Sequence, residues 1–376
     1  MIQLPYDISK SEDGGRLPVK PSEIHRELDE RIEGLCEAKR FISTRIALHM
    51  KRALELAKFE TPSDKNQCIL IMGPSGSGKT FLIEHAANIV KLPFVAANSA
   101  SLTEEGYHGQ GLSSILNTLI RKTENRKLAS YGICFLDEWD KRVHQRHERS
   151  GFSEGVQAEI LRMMEGTMVE IEIRHSKKPP IKFNTKGLMF VFAGAFEGLN
   201  INAAMNRGGI AGFSPDGAGN VQRPSHDYAL RDALVEYGML PEFINRLTGI
   251  LTLPVPTMEN MLSLIHFKNG PLETCNKSLR KLGAELVVDQ GATQVLAKYA
   301  CETRSFSRGV LVLLQAAMDH LVYEGIKGQV ALDAGDVHGL IAGRPSTLAT
   351  YATASDAVSA VAGPIFEGEE RNSNAQ

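Results

Sequence analysis

Residues 73–80 read Gly73-Pro74-Ser75-Gly76-Ser77-Gly78-Lys79-Thr80, a complete G-x-x-x-x-G-K-[ST] run. This run constrains the fold strongly, because it works only with a strand before it and a helix after it. Its glycines let successive backbone N–H groups turn inward onto phosphate oxygens, where a Cβ would stand in the way. Lys79 can then reach the β- and γ-phosphates, and the Thr80 hydroxyl can sit on Mg²⁺. The flanks have the required character. Cys68-Ile69-Leu70-Ile71-Met72 is a short apolar run, as expected of a strand buried on both faces of a parallel sheet. Leu82, Ile83, Ala86, Ala87 and Val90 recur at helical spacing. A helix starting at the loop adds its positive dipole end to the phosphate site.

A second element follows. Gly132-Ile133-Cys134-Phe135-Leu136 is an apolar run ending in Asp137-Glu138. Asp137 can hold the Mg²⁺ shell, and Glu138 is placed to orient and deprotonate water for attack on the γ-phosphate. The adjacent acidic pair points to a hydrolase rather than a kinase, which would aim an acceptor substrate there.

Segments of strand-like and helix-like character alternate to about Leu253, which predicts an α/β domain with a parallel sheet sandwiched by helices. Residues 1–20 read as a flexible arm, 21–254 as the large domain, 255–342 as a smaller, mainly helical domain, and 343–376 as a disordered tail. The prolines of Leu253-Pro254-Val255-Pro256 mark the hinge, since they continue neither a helix nor a central strand. Five scattered cysteines with no C-x-x-C pair argue against zinc and against a disulfide framework, and fit a reducing, cytoplasmic setting. A net charge of −2 gives no bulk attraction to nucleic acid. No apolar stretch approaches the roughly 18 residues of a membrane span. The charge run Lys141–Arg149 reads as a solvated face, and its His144 and His147 lack the carboxylate or cysteine company of a metal site.

Taken with Leu136-Asp137-Glu138-Trp139-Asp140-Lys141, the phosphate loop resembles that of the ClpX branch of the AAA+ ATPases, ring-forming unfoldases to which HslU is closely related. Further ordered matches carry the resemblance from about Ser22 to Ala342. They include Leu102-Thr103-Glu104-Glu105-Gly106-Tyr107, Ser153-Glu154-Gly155-Val156-Gln157, Glu165-Gly166-Thr167, Gly194-Ala195-Phe196 and Leu240-Pro241-Glu242-Phe243-Ile244-Asn245-Arg246-Leu247. The resemblance implies an AAA+ P-loop fold with a helical lid domain and a homo-hexamer that hydrolyses ATP with Mg²⁺ to unfold and translocate protein substrates. It implies that Arg246 is an arginine finger reaching a neighbour's γ-phosphate, and that Arg308, in Ser307-Arg308-Gly309, is the sensor-2 arginine. Tyr107, in Gly106-Tyr107-His108-Gly109, matches the aromatic of the substrate-gripping pore loop, with His108 where the family carries an apolar residue. Ile32 is the candidate to pack on adenine.

Some features depart from the family. Only about 20 residues precede the AAA+ region, without the family's zinc-binding domain. Gly209-Ile210-Ala211-Gly212-Phe213 spaces two apolar anchors differently from the peptidase-docking Ile-Gly-Phe, which leaves a ClpP-type peptidase partner open. Ala193-Gly194 stands where many AAA+ proteins carry a polar sensor 1, and Ile32-Glu33-Gly34-Leu35 matches the adenine-side segment only in part. The alternatives are a stand-alone remodeller without a peptidase, a nucleic-acid motor or loader, and a slowly hydrolysing assembly scaffold.

Overall fold

The computed structural model describes residues 19–343 except 63, 103–110, 124, 145–151, 172–178 and 200–225. The chain divides after Val255 into two compact units.

In the first unit, α1 (Pro21–Asp29) and α2 (Cys36–Ala57) precede β1 (Cys68–Met72) and α3 (Lys79–Ile89). Then come β2 (Phe94–Asn98), α4 (Leu112–Thr123), α5 (Arg126–Ala129), β3 (Ile133–Asp137), α6 (Trp139–His144) and α7 (Phe152–Glu165). The hairpin β4 (Met168–Ile171) and β5 (Ile181–Asn184) leads to β6 (Met189–Gly194), α8 (His226–Glu236), α9 (Pro241–Arg246) and β7 (Gly249–Thr252). Five strands form one parallel sheet in the order β2-β3-β6-β1-β7.

Strand alternation divides the apolar runs between two cores. Ile69, Ile71, Phe135, Val191 and Ala193 face α1, α2 and α3. Leu70, Met72, Leu136, Phe190 and Phe192 face the opposite layer of α4, α6, α7 and α8. Runs that look continuous in sequence are therefore buried on both faces, as a helix-covered parallel sheet demands. On the second face Trp139 packs 4.8 Å from Phe192 and 5.1 Å from Phe243, ring centre to ring centre. The β4–β5 hairpin, antiparallel and separate from the main sheet, was not legible in the sequence. Val19, at the end of the expected arm, is buried with Ile24 and Leu28.

Because all five strands run the same way, their ends sort onto two edges. Met72 pairs with Gly194 and Thr252, and Asn98 with Asp137, at the carboxyl edge. Cys68 pairs with Phe190, and Ile69 with Gly249, at the amino edge. At about 3.3 Å per residue, the four steps from Cys68 to Met72 separate the edges by roughly 13 Å.

The second unit carries helices Met258–His266, Pro271–Leu279, Gln290–Glu302, α13 (Phe306–Glu324) and Ala334–Ile341, and the parallel pair Ala284–Val288 with Gly328–Leu332. Leu296, Val310, Leu314 and Leu321 centre its core. Among the described residues no helix is long and apolar enough to cross a membrane.

Candidate nucleotide site

The phosphate loop joins β1 to α3 at the carboxyl edge, next to the central strand's end. Gly76 and Gly78 take φ of +77° and +88°, conformations an L side chain resists. Gly73 has no room for a Cβ, which would stand 2.9 Å from Leu253 Cβ. Its N–H donates to Gly194 O (3.1 Å), anchoring the loop to β6. Lys79 is buried, and its Nζ donates to Gly73 O (2.6 Å) and Pro74 O (2.9 Å), closing the loop on itself. The buried Ser77 hydroxyl has no hydrogen-bond partner among the described residues. A buried hydroxyl left so costs stability unless something else satisfies it. Ser75 and Gly76 form the outer turn of the loop, which the Ser77 N–H closes on Pro74 O at 3.3 Å.

Strand order brings the acidic pair alongside. Thr80 Oγ1 lies 3.4 Å from Asp137 Oδ2 although 57 residues separate them. Asp137 Oδ1 accepts the Glu138 N–H at 2.9 Å. Glu138 takes a left-handed φ of +55°, a strained conformation for a non-glycine residue. Its Oε2 accepts from Asn98 Nδ2 (3.0 Å) and pairs with Lys141 Nζ (3.0 Å). That hydrogen bond is the first reason the Lys141 ammonium is held above the usual lysine range. Neither Asn98 nor Lys141 had a role in the sequence reading. Asn98 matters because β2 lies beside β3, and strand order is invisible in a linear pattern.

Ala193 and Gly194 are the last residues of β6. A Cβ at Gly194 would collide with the buried Asp140 carboxylate, whose Oδ2 accepts from Phe196 N at 3.4 Å. The side-chain space beside a polar sensor is thus filled by Asp140. Ile32 packs into the α1–α3 core, with its carbonyl accepting from Lys39 Nζ at 3.0 Å. Leu35 lies in ordinary contact range of the space beside Gly78, so the turn between α1 and α2 borders the loop.

The donor set fits a triphosphate with a hard divalent cation: left-handed glycines, a partnerless buried hydroxyl, a lysine on loop carbonyls, and a hydroxyl beside a carboxylate. Among the described residues, no cluster of three or more His, Cys, Asp or Glu forms a metal site.

Arg246 lies elsewhere. It ends α9, three residues before β7 starts, and so sits at the amino edge, away from the phosphate loop. There it ion-pairs with Glu165. Burial pushes the Cys68 thiol, at the start of β1, up to about 12, and the Arg52 and Arg246 guanidiniums pull against that rise. Arg308 lies in the second unit, exposed near the start of α13. Tyr107, His108 and Ile210–Phe213 lie outside the described residues.

The AAA domain (Cdc48 subfamily) family matches residues 64–250, from just before β1 into β7. The ClpX ATP-binding subunit of the ATP-dependent Clp protease from Treponema denticola is 30% identical over 340 residues, covering 85% of this chain and 80% of that protein. The chain belongs to the ClpX branch of the AAA+ ATPases. It is a nucleotide-binding ATPase of the ClpX-like chaperone class, and its α/β unit is the AAA+ P-loop fold.

Proposed function

We propose that this ClpX-branch ATPase is a protein unfoldase working as a homo-hexameric ring in the cytoplasm, with ATP bound between one subunit's phosphate loop and the next subunit's Arg246. The observation that carries the reading is the separation of the two elements. Glu138 and Lys79 stand at the carboxyl edge of the sheet, and Arg246 stands at the amino edge. A guanidinium there serves another copy's nucleotide, not its own. Contacts between unlike faces of identical subunits close into rings when the rotation permits.

In this mechanism Gly73 to Thr80 hold the triphosphate through backbone N–H groups, Lys79 and the hydroxyls. Thr80 and Asp137 would hold Mg²⁺, which supplies charge neutralisation at the β- and γ-oxygens. Lys79 exchanges its loop carbonyls for phosphate oxygens. Glu138 leaves Asn98 and Lys141, orients water in line with the γ-phosphate and accepts its proton. Arg246 from the neighbour offsets charge on the transferring phosphoryl group, and Arg308 reports whether the γ-phosphate is present. Ile32 lies on the adenine side, and Tyr107 with His108 grips the translocating polypeptide.

The test is a tagged, folded protein substrate with saturating Mg·ATP, followed by sizing of the ATPase under the same conditions. The expected result is ATP-dependent loss of substrate fold by a six-copy species, abolished in Tyr107→Ala while ATPase activity persists. A single-copy species, or unfolding that persists in Tyr107→Ala, contradicts the reading. Capture of a ClpP-type peptidase by the ATP-bound form separates the proteolytic reading from a stand-alone remodeller.

A further inference from the structure

We infer that Glu165 is a positioning residue for the Arg246 finger, holding one side of the guanidinium so that its other side faces the neighbouring subunit's nucleotide. The inference rests on the intersubunit role of Arg246 proposed above, and it concerns a residue whose motif had no assigned task.

Arg246 and Glu165 are the last residues of two helices, α9 and α7, and they meet through Nη2 and Oε1. Both side chains are about half exposed, at 51% and 44%. An exposed pair of this kind adds little to stability. The mount beneath it is nevertheless built with care.

The end of α7 leaves backbone carbonyls without helical partners. Met163 O accepts from the buried Thr185 hydroxyl and Met164 O from Asn66 Nδ2, each at 3.0 Å. Asn66 is fixed in turn, because its Oδ1 accepts from Arg52 Nε at 2.8 Å. Immediately after Glu165, Gly166 turns at φ +85°, where a Cβ would collide with Lys186. On the finger's side, Ile244 O accepts from Arg231 Nη1 at 2.9 Å.

Both helix ends are therefore pinned and packed in one core, and the Arg246–Glu165 pair joins their tips. A guanidinium carries five N–H donors in a planar fork. The Glu165 contact uses Nη2, and Glu165 is the sole hydrogen-bond and ion-pair partner of Arg246 among the described residues. The remaining donors make no hydrogen bond among the described residues and are left for a ligand from the neighbouring copy. Phosphoryl transfer is sensitive to such placement, since misplacing a catalytic group by an ångström costs up to about a hundredfold in rate.

The experiment is steady-state ATPase kinetics on the full chain with Mg·ATP, as a double-mutant cycle. Glu165→Ala is expected to lower kcat by roughly tenfold to a hundredfold, with KM for ATP and the thermal midpoint unchanged. Glu165→Gln retains an acceptor oxygen and is expected to recover most of the rate. In an Arg246→Ala background, Glu165→Ala is expected to add no further loss. An unchanged kcat in Glu165→Ala, or an additive loss in that background, overturns the positioning role while leaving the finger intact. Full turnover in Arg246→Ala alone overturns the finger reading, and the Glu165 inference with it. Should Glu165→Ala fail to fold, a rate in Glu165→Gln as low as that of Arg246→Ala also counts against it.

Discussion

The two edges of the sheet achieve order by different means. At the carboxyl edge the backbone does most of the work: two left-handed glycines, a glycine with no room for a Cβ, and a left-handed Glu138. Its side chains hold provisional partners, Lys79 on loop carbonyls and Glu138 on Asn98 and Lys141. At the amino edge, buried side chains tie separate segments together. Arg52, Asn66, Thr185 and His49 each bond a backbone carbonyl from another segment. The carboxyl edge is arranged to exchange partners for a ligand, and the amino edge to keep a surface in a fixed shape. Local stability is distributed in this way where one part of a molecule must rearrange and another must transmit.

The largest expected effect breaks the carboxyl edge alone. Glu138→Gln keeps the shape and the acceptor for Asn98 but removes the base. It is expected to cut turnover by about a thousandfold while nucleotide affinity stays within about twofold, measured by ATPase assay and nucleotide titration. Near-normal hydrolysis in that variant contradicts the assignment of the base.

The next effect belongs to the amino edge. His49 is fully buried, its Nε2 bonds Tyr131 O at 2.9 Å, and burial lowers its pKa to about 4, with Arg52 adding to the fall. The folded chain therefore resists protonation that the unfolded chain accepts below about 6.5. The stability this site confers is complete above that pH and is lost as pH falls from about 6.5 to about 4. The loss amounts to about 3 kcal/mol at 1.36 kcal/mol per unit. Urea denaturation across that window is expected to show the slope, and His49→Gln to flatten it. An equal slope in both proteins contradicts the origin of the effect.

The smallest effect sharpens the comparison. Asn98→Ala removes one hydrogen bond from Glu138, and one such bond contributes about 1 kcal/mol. Turnover without a protein substrate is expected to rise about fivefold, with KM for ATP unchanged. A fall in turnover would mean that Asn98 assists the base instead of restraining it.

Much of the carboxyl edge was legible in the sequence because its chemistry is contiguous. Gly73 to Thr80 is one run, Asp137 and Glu138 end one strand, and their apolar flanks reveal burial on both faces. The amino edge was largely illegible because its contacts are long-range. Asn66 reaches Met164 across 98 residues, and Arg246 reaches Glu165 across 81. The sequence marked Glu165-Gly166-Thr167 as a motif without a task, and only the mount around Thr185 and Asn66 supplied one. Asn98 was missed for a related reason, since its role depends on which strand lies beside β3. The absence of a polar side chain at Gly194 was visible in the sequence, but its cause, the Asp140 carboxylate filling that space, was not.

The central claim is that the two edges complete a catalytic site only between copies of the chain. Mixing Glu138→Gln with Arg246→Ala, each expected to be inactive alone, tests it most directly. At their shared interfaces an intact Glu138 meets an intact Arg246, so the mixture is expected to recover ATPase activity well above the sum of the separate proteins. A mixture no more active than that sum, under conditions where the two proteins co-assemble, contradicts the claim.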